Sequence, residues 1–431
     1  MPKPPPGSRS HVLRIVFKAF IRNFVIRISN VVWLMIKFVA LIIAAAAIAA
    51  DIYLYRSAVR RSRSEALRKA FIAWAVLTNA FTWIAMIVVR MSDVGTASMH
   101  FSMWVVFAYL ITVIPRTLYA LFRLVGSFCG AFGRVVRVLG AVVAAAMIAI
   151  CIWGATSGRK TLKVTEQTLC YRNLPPAFDG FRIVQISDLH VGSLINPETM
   201  LKQVVERVNS LDCDLVIQSG DLVNIRCDEL DTAVLDILKG IRSRCGVYSV
   251  LGNHDLGFYI KDTVSLPLEA NVGQVIGAQR SIGWMVLVDT TAIIRRGGDS
   301  IALTGLNFPS DLRLNSHNTS LAGADIESAY AGLPDSIFNI TVSHAPQMWQ
   351  QIVALGRGDL TLSGHVHSMQ FKMRLFGREV SPAQLMYREW SGLYENDDKY
   401  LYINDGIGYV GYPMRIGAYP EITVIELRRC E

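Results

Sequence analysis

The sequence predicts an α/β domain built as a sandwich of two packed sheets flanked by helices, preceded by an all-α region that crosses a membrane. Three observations predict it. Charge and hydropathy divide the chain near residue 160. Beyond that point, short β-branched runs alternate with helical stretches, and each of five such runs ends in a loop carrying Asp, Asn or His. Residues 1–160 hold 20 of the 43 Lys and Arg but only three acids, Asp51, Glu65 and Asp93, a net charge of +17 that leaves −8 for the remainder. The overall +9 therefore does not describe a nucleic-acid binder, and none is expected as a partner.

The basic part divides again. Residues 1–30 form an arm in which Arg14, Lys18 and Arg22 recur four apart with Ile, Val and Phe between them. Such a helix is cationic and amphipathic, suited to lying on an anionic bilayer. Residues 31–155 hold four candidate spans: 31–50, with Lys37 its only charge; 70–89, with none; 101–114, which spans only if it continues past Pro115 and Arg116; and 136–154. Because the apolar runs recur, they are not a cleavable signal peptide. Counting Lys and Arg on the two sides of a four-span arrangement gives 10 against 10, so charge alone does not orient the chain.

Residues 161–431 form the globular domain. The runs Phe181–Ser187, Asp214–Gly220 and Gly246–Gly252 read as strands, with helices beginning near Pro197 and Glu229 between them. Later strands, "FNITVS", "LTLSG", "YLYIND" and "EITVIEL", have no long helices between them, which suggests a second sheet. Five cysteines are scattered through this part without any CxxC, so neither a structural zinc site nor a full disulfide framework is expected.

The loops after the strands carry the chemistry. "SDLHVG" supplies Asp188 and His190, "SGDLVN" Asp221, and "LGNHDLG" Asn253, His254 and Asp255; "VSHAP" then supplies His344 and "SGHVH" His365 and His367. Ligands collect at the carboxyl ends of strands in α/β sheets, so these loops should converge. Only His11, His100 and His317 lie outside them. Carboxylate, imidazole and carboxamide suit Mn, Fe or Zn, and seven or eight ligating atoms suit two ions better than one.

The ordered set D-x-H, G-D, G-N-H-D, H, G-H-x-H resembles the calcineurin-like metallophosphoesterase superfamily over roughly residues 180–428, and the tail after Gly392 resembles its membrane-associated bacterial branch. The resemblance implies two divalent or trivalent metal ions about 3.5–4 Å apart. One would be held by Asp188, His190, Asp221 and His367, the other by Asp221, Asn253, His344 and His365, with Asp221 bridging. It further implies hydrolysis of a phosphate ester, diester or pyrophosphate by a hydroxide held between the ions. His254 would act as general acid or charge stabiliser, with Asp255 orienting its ring. The chain departs from the branch's usual G-H-T-H-G-G-Q at Val366, Ser368 and Met369, without losing a ligand.

Between the last histidines and the tail, "FKMRLFGREVSPAQLMYREWSGLY" alternates cations with aromatic residues. Arg374, Arg378, Arg388 and the later Arg415 are therefore candidate contacts to a phosphorylated substrate or a lipid headgroup. A lipid or a nucleotide-linked lipid fits a membrane-tethered site best, by proximity. The rival function is a sensor or scaffold that binds ligand without turnover, disfavoured by the intact ligand set. A transporter is disfavoured because Lys37 is the only clear charge inside a span. Resemblance to a branch acting on envelope substrates favours an integral protein of the bacterial cytoplasmic membrane with the domain facing outward.

Overall fold

The computed structural model describes residues 42, 44–91, 96–309 and 324–430, so the predicted arm and most of the first predicted span lie outside the described residues. The chain divides into two units, Met1–Ile84 with Thr112–Ala144, and Ala85–Ile111 with Ala145–Glu431.

Among the described residues four helices come first: α1 (residues 44–54), α2 (Glu65–Met91), α3 (Thr96–Phe128) and α4 (Gly133–Thr156). The stretches Ser98–Phe128 and Gly130–Lys160 are each 31 residues and apolar enough to cross a membrane. Only 6% of the second stretch's apolar window is buried against protein, unlike the core helix of a soluble domain. The predicted third span does not stop at Pro115. It continues through Arg116 to Phe128, so Arg116 is not the loop residue its place after a proline implied.

What settles Arg116 inside the helix is a buried partner. Its Nε lies 3.0 Å from Asp51 Oδ1, the amide of Asn79 donates to Asp51 Oδ2 at 2.6 Å, and Arg116 donates to Thr78 Oγ1 at 2.6 Å. One polar network thus joins α1, α2 and α3, where the sequence had offered only Lys37 as an obvious charge among apolar helices. Removing either ionic partner would strand the other's charge, at a cost of about 3–5 kcal/mol.

The second unit continues from β1 (Lys163–Tyr171) and β2 (Phe181–Ile186) through α5 (Pro197–Asn209), β3 (Leu215–Gln218), α6 (Thr232–Leu238) and β4 (Val247–Ser249). Then come α7 (Leu268–Ser281), β5 (Met285–Val286), β6 (Thr290–Arg296), β7 (Asp299–Leu306), α8 (Ile326–Ala329) and β8 (Asn339–Ser343). It ends with α9 (Trp349–Ala354), β9 (Leu360–Ser363), β10 (Met373–Leu375), β11 (Arg378–Val380), β12 (Gly392–Asn396), β13 (Lys399–Ile403) and β14 (Glu421–Arg429).

As predicted, these strands make two main sheets. Their orders are β1-β14-β2-β3-β4-β5 and β12-β13-β9-β8-β7-β6, while β10 and β11 form a separate hairpin. The three strands β2, β3 and β4 run parallel, as do β7, β8 and β9. Alternation along each strand explains the sandwich. Ile183, Leu215 and Ile217 face Ile340, Val342 and Leu362 of the second sheet. Their neighbours Val184 and Val216 turn to the other side and pack under the apolar stripe Leu201, Val204 and Val208 of α5. Gln185 locks the sheets together at the site end, donating from Nε2 to Ser219 Oγ and Ser363 O, both at 2.9 Å.

The outermost strand, β1, was not anticipated. It pairs with β14 from Lys163↔Glu421 to Tyr171↔Arg429 and so brings Cys170 to Cys430, 260 residues away, in a disulfide with Cα atoms 5.6 Å apart. Cys213, Cys227 and Cys245 remain free, so the domain has one bridge rather than a framework.

Candidate metal centre

All five chemically loaded loops follow strands whose carboxyl ends share one edge of the sandwich. β2 leads to Asp188 and His190, β3 to Asp221, β4 to Asn253, His254 and Asp255, β8 to His344, and β9 to His365 and His367. Turning each chain sharply off its strand requires unusual backbone. Asp188, His190, Asp221, His365 and His367 all have positive φ, between 41° and 73°. Non-glycine residues held there store strain, which concentrates at functional sites. The glycines beside them serve a different need. A Cβ on Gly220 would fall 2.4 Å from His344 Nδ1, and one on Gly364 would fall 2.2 Å from Asp188 Oδ2. The G-D and G-H pairs in the sequence thus mark places where one loop passes directly against another loop's polar side chain.

Five histidines converge on two carboxylates. His367 Nε2 lies 2.9 Å from Asp188 Oδ1, and His344 Nε2 lies 3.0 Å from Asp221 Oδ2. His190 Nε2 lies 3.8 Å from Asp188 and 3.7 Å from Asp221, between the two. The donor atoms of Asp188, His190 and His367 all fall within 4.8 Å of one another, as do those of Asp221, His344 and His365. A third group, His190, Asp221 and His254, overlaps both, which leaves Asp221 common to two clusters and His190 likewise.

Electrostatics keeps these atoms ready for a cation. Burial opposes ionisation of Asp221, but His344 and His254 outweigh it and hold the carboxyl well below its usual range; His367 and His344 do the same for Asp188. Burial pushes His365 down to about 3, with His344 adding to the effect, and pushes His190 down as well. Ionised carboxylates beside neutral imidazoles are what metal ligation requires. His344 is the exception: burial opposes its charge, yet Asp221 and Asp188 raise it to about 9, so without a metal it carries a proton that a bound ion would displace. With its Nδ1 donating to Ser219 O at 2.8 Å, its Nε2 is aimed at the carboxylates. The residues fit a cation on a further count: Asn253 Oδ1 is buried without a hydrogen-bond partner, while its amide donates to Tyr259 OH at 3.1 Å.

Two predicted roles change. Asp255 does not orient the His254 ring. Its fully buried carboxylate accepts from the backbone N–H groups of Asp221, Leu222, Val223 and Gly252 at 2.8–3.0 Å, fixing the loop that carries Asp221. His254 is oriented instead by its own Nδ1–H, which donates to Asn224 O, and its Nε2 is left 4.0 Å from Asp221 Oδ2. Arg415 is not a substrate contact. It is completely buried and donates to the carbonyls of Gly408, Asp405 and Ala418 at 2.7–2.9 Å, with Nη2 3.3 Å from His367 Nδ1. Arg374, Arg378 and Arg388 are exposed and lie outside the metal cluster.

Glu229 has a role the sequence did not reveal, since it reads there as the start of a helix. It accepts from the backbone N–H of Gly192, Asn224 and Ile225 at 2.5–3.0 Å, tying the loop after β2 to the loop after β3. The departures at Ser368 and Met369 are also resolved. Both keep the left-handed backbone that glycine would adopt freely, with φ of 50° and 48°. Hydrogen bonds hold them there: Ser368 Oγ donates to Asp405 at 2.5 Å, Ser381 Oγ donates to Ser368 O at 2.7 Å, and Tyr412 OH donates to Met369 O at 2.6 Å.

Residues 181–369 match the sequence model of the calcineurin-like phosphoesterases. The C-terminal domain belongs to that family. The phosphoesterase domain is similar to the metallophosphoesterase YkuE of Bacillus subtilis (strain 168), 29% identical over 277 residues that cover 62% of this chain and 86% of that one. A transmembrane protein with metallophosphoesterase domain from Bos taurus is 30% identical over 285 residues, covering 65% of this chain. That match spans 60% of the bovine protein, less than two thirds of its length. Among solved structures, phosphopantetheinyl hydrolase from Mycobacterium tuberculosis aligns with a TM-score of 0.30 and 17% identity, over 47% of this chain and 89% of that one. Membership makes the phosphoesterase domain, by class, a metal-dependent phosphoester hydrolase.

Proposed function

We propose that the chain is a membrane-anchored hydrolase of a phosphorylated lipid or nucleotide-linked lipid, acting through two metal ions. The observation that carries the reading is two adjoining groups of donor atoms, Asp188–His190–His367 and Asp221–His344–His365, with His190 Nε2 3.8 Å from Asp188 and 3.7 Å from Asp221 and with Asn253 Oδ1 unpartnered. Asp188, His190, Asp221 and His367 would hold one ion, and Asp221, Asn253, His344 and His365 the other. Mn, Fe or Zn suits these donors. When bound, the pair supplies Lewis acidity and water activation at neutral pH. The chain's own residues do the rest. The Asp188 and Asp221 carboxylates set the charge of the site, Asp255 and Glu229 hold its loops rigid, and His254 Nε2 is the proton donor to the leaving oxygen.

A purified full-length protein with Mn should release phosphate or headgroup from lipid monoesters, diesters or pyrophosphates in mixed micelles. Hydrolysis of none of them, with both ions bound, would support the rival, a sensor without turnover.

The same reading places the domain outside a bacterial cytoplasmic membrane. Its support is the Cys170–Cys430 bridge, since disulfides persist in oxidising compartments. Arg56, Arg60, Arg61 and Arg63, between α1 and α2, would then be cytoplasmic. Protease added to intact spheroplasts should digest the chain beyond Lys160 and spare the loop at Arg61; the opposite pattern reverses the orientation.

A further inference from the structure

We infer that the hairpin β10–β11 and the turn after it, residues 373–388, dock into the surface of an anionic bilayer and so present lipid headgroups to the metal site. The inference rests on the membrane anchoring proposed above but not on turnover.

The first observation is composition at the surface. Phe376, at the hairpin tip, is 104% exposed and Leu385, in the following turn, 89%, with Met386 and Leu375 also exposed. Large apolar side chains this bare on two neighbouring turns are the kind of exposed surface that marks a protein or membrane contact. Arg374, Arg378 and Arg388 stand among them, all exposed. Arg374 and Arg378 pair with no carboxylate among the described residues, whereas Arg388 lies 3.4 Å from Glu389. Cations interleaved with bare apolar side chains match a bilayer interface, where phosphates meet acyl chains.

The second observation is where the hairpin is rooted. Lys372 N–H donates to Ile416 O at 2.8 Å, and Phe371 bridges to Ile416. Ile416 packs in the same apolar cluster as Ala155 and Cys151, at the carboxyl end of α4, and Arg415 N–H donates to Gly154 O at 3.2 Å. Trp153 at that helix end meets Tyr419 edge-on at 5.9 Å, the aromatic pairing expected where a span leaves the hydrocarbon. One apolar helix end and the hairpin therefore share a single anchoring strip.

The third observation ties the segment to the chemistry. Ala383 and Trp390 pack against Val366, which lies between His365 and His367, and Tyr387 meets the His365 ring at 6.1 Å. The hairpin's docked position would thus fix where a headgroup stands relative to the ligand loop.

Hydrogen exchange of the full chain tests this without requiring activity. Amides of residues 373–388 should exchange about tenfold or more slowly in nanodiscs containing phosphatidylglycerol than in neutral detergent micelles. Phe376→Glu with Leu385→Glu, and separately Arg374→Glu with Arg378→Glu, should abolish the slowing. All four side chains are exposed, so melting temperature and metal content should report an intact fold. Equal exchange in micelles and nanodiscs, or slowing that survives both double variants, would overturn the inference. Slowing without turnover on any ester would leave the docking intact and sink the hydrolase reading instead.

Discussion

Asp221→Asn is expected to empty the centre and abolish turnover. Asp221 belongs to two of the three donor groups, and its Oδ2 lies 3.0 Å from His344 Nε2 and 3.7 Å from His190 Nε2. Its Oδ1 already accepts the His254 N–H at 2.8 Å. An amide there removes the one negative charge both ions would share, and it sets an NH₂ against imidazoles or cations. Loss of Lewis-acid stabilisation worth several kcal/mol corresponds to a fall of about 10³-fold or more in rate. Elemental analysis and turnover should fall together. Two ions per chain with a normal rate in this variant would contradict a shared carboxylate.

His254→Ala is expected to separate binding from chemistry. The ring is fixed through Asn224 O, and burial lowers its proton affinity below the ordinary histidine value. Removing it should lower kcat by about 10²–10⁴-fold while both ions stay bound. The loss should shrink on esters such as p-nitrophenyl phosphates, whose leaving group needs no proton. An equal loss on every ester, with loss of metal, would make His254 a ligand, a role its place beside His190 and Asp221 permits geometrically.

The ligand loops were legible in the sequence because each follows a short apolar strand, and several set a glycine against a polar residue. That pattern reflects two physical demands, a strand end and a close passage between loops. Roles that depend on what a side chain meets elsewhere were not legible. The resemblance assigned Asp255 to the His254 ring, yet its carboxylate turns to four backbone amides instead. Arg415, in "GYPMRIG", read as a candidate phosphate contact because no carboxylate stands near it in the sequence. Its acceptors are carbonyls at Gly408, Asp405 and Ala418, presented by the turns around it. Arg116 was misplaced for a related reason. Proline disfavours helix continuation locally, while its compensation, Asp51, lies far away in the sequence on another helix. The pairing of Cys170 with Cys430 likewise needed the parallel register of β1 and β14, which no spacing rule contains.

The central claim is that two ions, bound by this one set of side chains, hydrolyse a phosphoester. Titrating the metal-free full-length protein with Mn while following bis(p-nitrophenyl) phosphate hydrolysis tests it most directly. The rate should climb until two equivalents per chain are bound and then level off. Saturation at one equivalent, or two bound equivalents with no hydrolysis, would contradict it.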